Sequence, residues 1–369
     1  MKINSYNDTV YYIACPSNTD TGGPKDLHQL ALQLKELGKK VFIYYFPINQ
    51  NDPEFKNKNE KIKVHKNYEK FNLPHTDKIE DFEKNVLIVP EVYQAILISK
   101  KYKKIQKVLW WLSLDFFFIT YFNDSHSKMI KSIMKFPYEV ICFLNKVSKN
   151  YFGNLSFPKY LKIIYLNIPF KNMVKLNDFK INLSQSMYQY NVLNSKSVNT
   201  KLLCDYIREE YFHASKNISI KEKKNWVCYN PSKSSSFMKR IIDTNPKVKF
   251  IPLANYSMKE IIGILSQSKI YIDFGFHPGV DHLPREAAIL KNCVITNKEG
   301  SAFYNEAVSI DNKFKFDEKY KNLNKISETI NNVFTNFETE LNNFNEYVNS
   351  LEKEKLKFKD QVIDIFFNN

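Results

Sequence analysis

The stretch from Tyr271 to Ala288, Tyr-Ile-Asp-Phe-Gly-Phe-His-Pro-Gly-Val-Asp-His-Leu-Pro-Arg-Glu-Ala-Ala, running on through Gly300-Ser-Ala-Phe303, has the residue types of a phosphate or diphosphate site. The chain contains eight glycines and three arginines (Arg208, Arg240, Arg285), and three of those glycines and one arginine fall in this segment. Gly275 and Gly279 let backbone come close to a ligand, and Pro284 is expected at the first position of a helix whose free N–H groups point back at the loop. His277, His282 and Asp281 are metal-ligand types, but a loop with a proline and two glycines offers no register to converge them. No metal is therefore expected, and hydrogen bonding to the ligand is the preferred role.

Parallel α/β units position such loops. Val10–Cys15 predicts a strand, Pro16–Gly23 a loop, and the spacing of Leu27, Leu30, Ala31, Leu34 and Leu37 a helix opened by Pro24 and closed by Gly38. With the apolar strand Lys40–Phe46 this makes a βαβ unit. Further strands are expected at Val86–Val89, Val108–Ser113, Ile181–Leu183, Lys201–Cys204, Trp226–Tyr229, Lys249–Leu253, Lys269–Asp273 and Cys293–Thr296, and a capping box at Ser257–Glu260 opens a helix to about Gln267. From Asn322 the pattern is helical. The division expected is a domain at 1–205, a charged linker at 206–224, a second domain at 225–345, and a terminal helix at 346–369 that packs back toward the first. Each domain has a glycine loop at the carboxyl end of a strand, which predicts two Rossmann-like parallel-sheet domains facing a central cleft.

Composition narrows the partners. Fifty-four basic against 39 acidic residues give a formal charge of +15, which suits an anionic ligand, a membrane surface or nucleic acid. The basic residues are scattered without a nucleic-acid motif, so no nucleic-acid partner is expected. Lys100–Lys104 with Lys107 is the stretch suited to an anionic membrane surface. Cys15, Cys142, Cys204, Cys228 and Cys293 form no C-x-x-C and suit reduced thiols in a cytoplasm. The amino terminus has no apolar signal core and the longest apolar run, Val108–Phe122, is broken by Asp115, so neither secretion nor a membrane span is expected. The expected location is cytoplasmic, peripheral on the inner face of a membrane.

The chain resembles GT-B glycosyltransferases of the bacterial capsule and lipopolysaccharide type. The resemblance rests on Thr21-Gly-Gly-Pro24, Pro90-Glu91, Trp110–Asp115, Tyr229–Lys233, His277–Ala288 and Gly300–Ala302. It implies an acceptor-binding first domain, a second domain holding a nucleotide-sugar donor, and no cofactor. Glu286 matches the acid that holds the donor ribose, since one carboxylate accepts both hydrogen bonds of a cis-diol. Arg285 and Lys233 are placed on the diphosphate, with backbone N–H groups near Gly279 and Ser301 completing the cradle. An inverting transfer needs a base for the acceptor hydroxyl. Asp20, beside Thr21-Gly22-Gly23, and Asp115 are the catalytic candidates, and Glu91 is a weaker third.

The acceptor implied is a glycan or lipid-linked glycan. Two rival readings stand beside this one: a nucleotide-sugar epimerase of the same fold, and a non-catalytic protein that binds anions or membranes. The aromatic run around Trp110, Trp111 and Phe116–Phe118 is expected as core, with sugar or lipid stacking as its alternative.

Overall fold

The computed structural model describes residues 3–19, 21–47, 64–147 and 155–367, and the chain divides into two compact units. The first comprises Met1–Met134, Tyr160–Asp205 and Leu356–Asn369, and the second Lys135–Lys159 and Tyr206–Lys355.

The first unit is built on β1 (Val10–Pro16), β2 (Lys40–Phe46), β3 (Val86–Pro90), β4 (Gln106–Trp111), β5 (Ile181–Ser184) and β6 (Lys201–Leu202). Their order is β2-β1-β3-β4-β5-β6, with every pair parallel. Parallel strands covered on both faces need continuous apolar sequence, and β1, β3 and β4 are buried at every residue. The helix Gly22–Glu36 begins two residues before Pro24 and ends ahead of Gly38, whose φ of +80° suits glycine. Trp110 and Trp111 are core residues, with indole N–H groups donating to the Leu203 carbonyl (3.2 Å) and Asn182 Oδ1 (3.3 Å). The outer edge of β2 is occupied by Pro74–Thr76: Ile43 N donates to the Pro74 carbonyl and Thr76 N to the Ile43 carbonyl, both at 2.9 Å. Beyond the short β6, Gln361 Oε1 accepts the Cys204 N–H at 2.9 Å, and Phe366 packs edge-on against Tyr11.

The second unit carries β7 (Lys224–Tyr229), β8 (Lys249–Pro252), β9 (Ser268–Asp273), β10 (Cys293–Asn297) and β11 (Lys315–Phe316), ordered β11-β10-β9-β7-β8 and again all parallel. Its core joins Val227, Ile270, Ile272, Val294 and Ile295 to helix residues such as Ile241, Leu265, Ala287, Ile326 and Tyr347. The capping box at Ser257 and Glu260 forms and starts the helix Met258–Gln267.

One expectation is corrected. Residues 206–224 are not an irregular linker: they include the helix Glu209–Ser215, and Tyr211 is buried in the second unit's core. Of the lysine stretch, Lys101, Lys103 and Lys104 keep exposed side chains, and Lys107 is taken into the fold. Asp81 accepts the backbone N–H groups of Lys103, Lys104 and Ile105 at 2.8–2.9 Å, and Lys107 is buried on β4. Among the described residues no helix is long and apolar enough to cross a membrane.

Candidate functional site

In an open parallel sheet the crevice for a ligand lies past the carboxyl ends of the strands where the strand order reverses. In the second sheet the reversal lies at β7 and β9, because β8 is on one side of β7 and β9 on the other. The loops leaving these strands hold Lys233 and the segment Phe274–Asp281. They are joined to each other: Ser235 N donates to the Phe274 carbonyl at 2.8 Å, and Ser234 and Gly275 form an antiparallel bridge. Asn297, at the end of β10, donates to the Gly275 carbonyl and to Glu318 Oε1 (2.9 Å), which also accepts from Ser235 Oγ (3.0 Å).

Within this knot five ionisable groups stand in series. Lys233 Nζ pairs with Asp281; His277 Nδ1 lies 2.7 Å from the other Asp281 oxygen; His277 Nε2 is 3.9 Å from Asp273, which accepts the Tyr271 hydroxyl at 2.9 Å. Burial pushes the Asp281 carboxyl up, but Lys233 and His277 outweigh it and hold the group at about 2. Burial opposes the charged His277, yet Asp273 and Asp281 raise its pKa above the usual imidazole value. Burial raises the Asp273 carboxyl. His277 Nε2 is buried without a hydrogen bond. The loop thus does converge ligand types, contrary to the expectation from its proline and glycines: donor atoms of Asp273, His277 and Asp281 lie within 4.8 Å of one another and could hold a cation. The Lys233 ammonium already supplies a positive charge to Asp281, and its side chain is 31% exposed.

Several assigned roles change in this geometry. Arg285 is 1% exposed and its guanidinium is committed: Nη1 donates to both Glu354 carboxylate oxygens at 3.0–3.1 Å, and Nε and Nη2 to the Asp281 and Val280 carbonyls at 3.2 Å. It is a loop brace, not a diphosphate ligand. Ser301 is likewise spent on the loop, its N–H on the His277 carbonyl (2.9 Å) and its hydroxyl on the Gly279 carbonyl. Two of the glycines serve loop contacts. A Cβ on Gly275 would lie 2.1 Å from the Lys233 carbonyl oxygen, and one on Gly300, at φ +53°, 2.0 Å from that of His277. Pro284 is the third residue of the helix His282–Ile289, with Asp281 as N-cap. Glu286 is buried in that helix beside the Tyr211 hydroxyl, whose pKa is raised by burial and by this carboxylate.

In the first sheet the reversal lies at β1 and β3. Thr21 is the N-cap of the helix that Gly22 and Gly23 open, with no capping bond from its side chain. Glu91, which follows β3, is buried and accepts the N–H groups of Leu112 (2.9 Å) and Ser113 (3.0 Å); burial raises its pKa to about 7 against the pull of these bonds. Asp115 is buried in the first turn of the helix Leu114–Ser125, accepts the Tyr188 hydroxyl at 3.3 Å and lies 4.0 Å from Lys162 Nζ. These bonds give it a packing role. Asp20 lies outside the described residues. Sequence reasoning passed over Asp273, Asn297, Glu318 and Tyr211. Asp273 and Asn297 had a visible signal, as polar residues ending apolar strands, whereas Glu318 and Tyr211 meet the site only through tertiary contact. A separate cavity of about 450 Å³, lined by Lys104, Gln106, Lys107 and Lys180 among others, lies at the amino ends of β4 and β5, away from these loops.

No protein-family model matches the sequence, and no curated protein matches it. Solved structures do match in fold. Anabaena Alr3699/HepE, solved with UDP and glucose, superposes with a TM-score of 0.59 at 9% identity, covering 96% of this chain and 98% of that one. A glycosyltransferase from Rickettsia africae gives 0.51 at 13% identity with 98% and 95% covered, and sucrose-phosphate synthase from Thermosynechococcus elongatus 0.53 at 11% with 97% and 95% covered. Across nearly the full length, with parallel sheets of six and five strands, the chain has the GT-B fold of these glycosyltransferases.

Proposed function

We propose that the protein is a glycosyltransferase that moves a sugar from a UDP-sugar to a surface-glycan acceptor of the capsule or lipopolysaccharide kind. The observation that carries this reading is the loop knot at the strand-order reversal of the second sheet, in a fold whose solved examples include complexes with UDP and with UDP-glucose. Glu286, steadied by the Tyr211 hydroxyl, holds the ribose hydroxyls. Lys233 swings from Asp281 onto the diphosphate, and protonated His277 keeps Asp281 compensated while it does so. As the acceptor hydroxyl attacks the anomeric carbon, the bond to the diphosphate breaks and negative charge collects on the leaving oxygens. A cation that meets that charge lowers the barrier.

On the acceptor side, Asp20 is assigned as the base that takes the hydroxyl proton, with Glu91 fixing the loop after β4. Lys233 fills the charge-neutralising role, so the transfer requires no divalent ion. A nucleotide thermal-shift series tests the donor site: UDP raises the melting temperature more than other nucleoside diphosphates or cytidine monophosphate do, and Glu286→Gln abolishes the increment. Stabilisation by polyanions alone would overturn the reading, as would an epimerised sugar formed from a UDP-sugar without acceptor.

A further inference from the structure

The helix Lys128–Val147 presents an apolar face to solvent. Met129, Ile133, Phe136 and Phe143 are 64–69% exposed, and Ile130 and Val140 are each 40% exposed. Their positions follow i, i+4, i+7, i+11 and i+14, with Ile130 widening the stripe, so all lie along one side of a 20-residue helix about 30 Å long. The side that carries Met134, Tyr138 and Cys142 is half-buried. The Met134 carbonyl accepts the Tyr160 hydroxyl at 2.7 Å, and the Tyr138 ring meets Phe157 edge-on at 5.1 Å. The apolar strip is thus the more exposed side of the helix, and the half-buried side holds the contacts to Phe157 and Tyr160. Monomeric proteins seldom leave so continuous an apolar strip in water.

The geometry points to this helix as an in-plane anchor that seats the protein on an anionic lipid surface. An exposed apolar strip with aromatic side chains along it and lysines beside it is the pattern of a helix lying at the level of the headgroups. Charge selects the occupant. The helix sequence holds four lysines against one acid, Glu139, in a chain of formal charge +15. Lys128 and Lys135 are exposed on the flank of the strip, where each meets anionic headgroups favourably, while Lys131 turns away to the Asn123 carbonyl. A second copy of the chain is disfavoured by the same charges: the stripe spacing would suit a helix pair, but flanks of like sign repel across such a seam. This helix is a different element from Lys100–Lys104, where the sequence suggested a lipid contact. The inference does not rest on the transferase reading.

Flotation of the full chain with vesicles tests it. With vesicles made half of phosphatidylglycerol the protein floats, and with pure phosphatidylcholine it floats much less. Ile133→Asp with Phe136→Asp lowers the partition by about tenfold or more, since the side chains that enter the interface become charged. The melting temperature and the UDP response stay at their wild-type values, because neither residue packs inside the fold. Replacing Lys128 and Lys135 by Glu weakens the preference for the anionic vesicles. The inference is overturned if wild-type protein ignores both vesicles, if the Asp pair floats like wild type, or if the strip instead drives a concentration-dependent dimer that the Asp pair dissolves.

Discussion

Arg285 shows how a buried guanidinium can serve geometry and not ligand. Its bonds to Glu354 and to the carbonyls of Val280 and Asp281 fix the end of the loop that holds Asp281 against Lys233 and His277. Removing one partner of such a pair leaves the other charge uncompensated, so Arg285→Ala should cost about 3 kcal/mol, read as a lowered denaturation midpoint. Arg285→Lys should recover little of this, because an ammonium cannot reproduce the planar fork. Glu91 gives a pH signature. Its carboxyl stands at about 7 in the fold against an ordinary 4.5, so the folded state holds a proton that the unfolded chain releases. That contribution is complete below about 4.5 and is lost as pH rises through about 7. Thermal unfolding across this window should show the fall. In Glu91→Gln it should flatten, at an overall loss of about 1–3 kcal/mol because the amide turns a donor toward one of the two N–H groups.

The glycines act at the level of the elements. Each of Gly275 and Gly300 stands where another loop's carbonyl passes too close for any Cβ, which locks the β7, β9 and β10 loops into one body. Gly275→Ala and Gly300→Ala should each cost at least about 2 kcal/mol and weaken nucleotide binding together with stability. Gly263 is the contrast: it sits inside the helix Met258–Gln267 with nothing within 4 Å of the point where a methyl would stand, so Gly263→Ala should stabilise by up to about 1 kcal/mol, measurable by chemical denaturation. This scale also marks where the sequence was legible. Strands buried on both faces write themselves as apolar runs, so β1, β2, β3 and β9 stood out, and the capping box announced its helix. Scarce glycines marked the loops that pack together, but nothing local says that the missing methyl makes room for a carbonyl 23 or 42 positions away along the chain. Arg285 and Glu354, 69 residues apart, were equally hidden. The two-residue β11 carried too little pattern to find.

For the molecule as a whole, repetition made the architecture readable: two runs of alternating strands and helices gave two parallel sheets of six and five strands. Transfer by such a protein, with Lys233 serving as the cation, should survive chelation; a UDP-release assay in excess EDTA should keep its wild-type rate, whereas Lys233→Ala should lower it by about a hundredfold or more. Total loss of activity in EDTA would instead assign Asp273, His277 and Asp281 to a metal. The covering of β2 by Pro74–Thr76 has its own consequence. The first sheet ends on that side in a partnered strand, and on the other in a two-residue strand whose following N–H is taken by Gln361. At Ile43 and Cys204 a foreign strand would meet backbone that is already bonded, which blunts edge-to-edge growth of the first sheet.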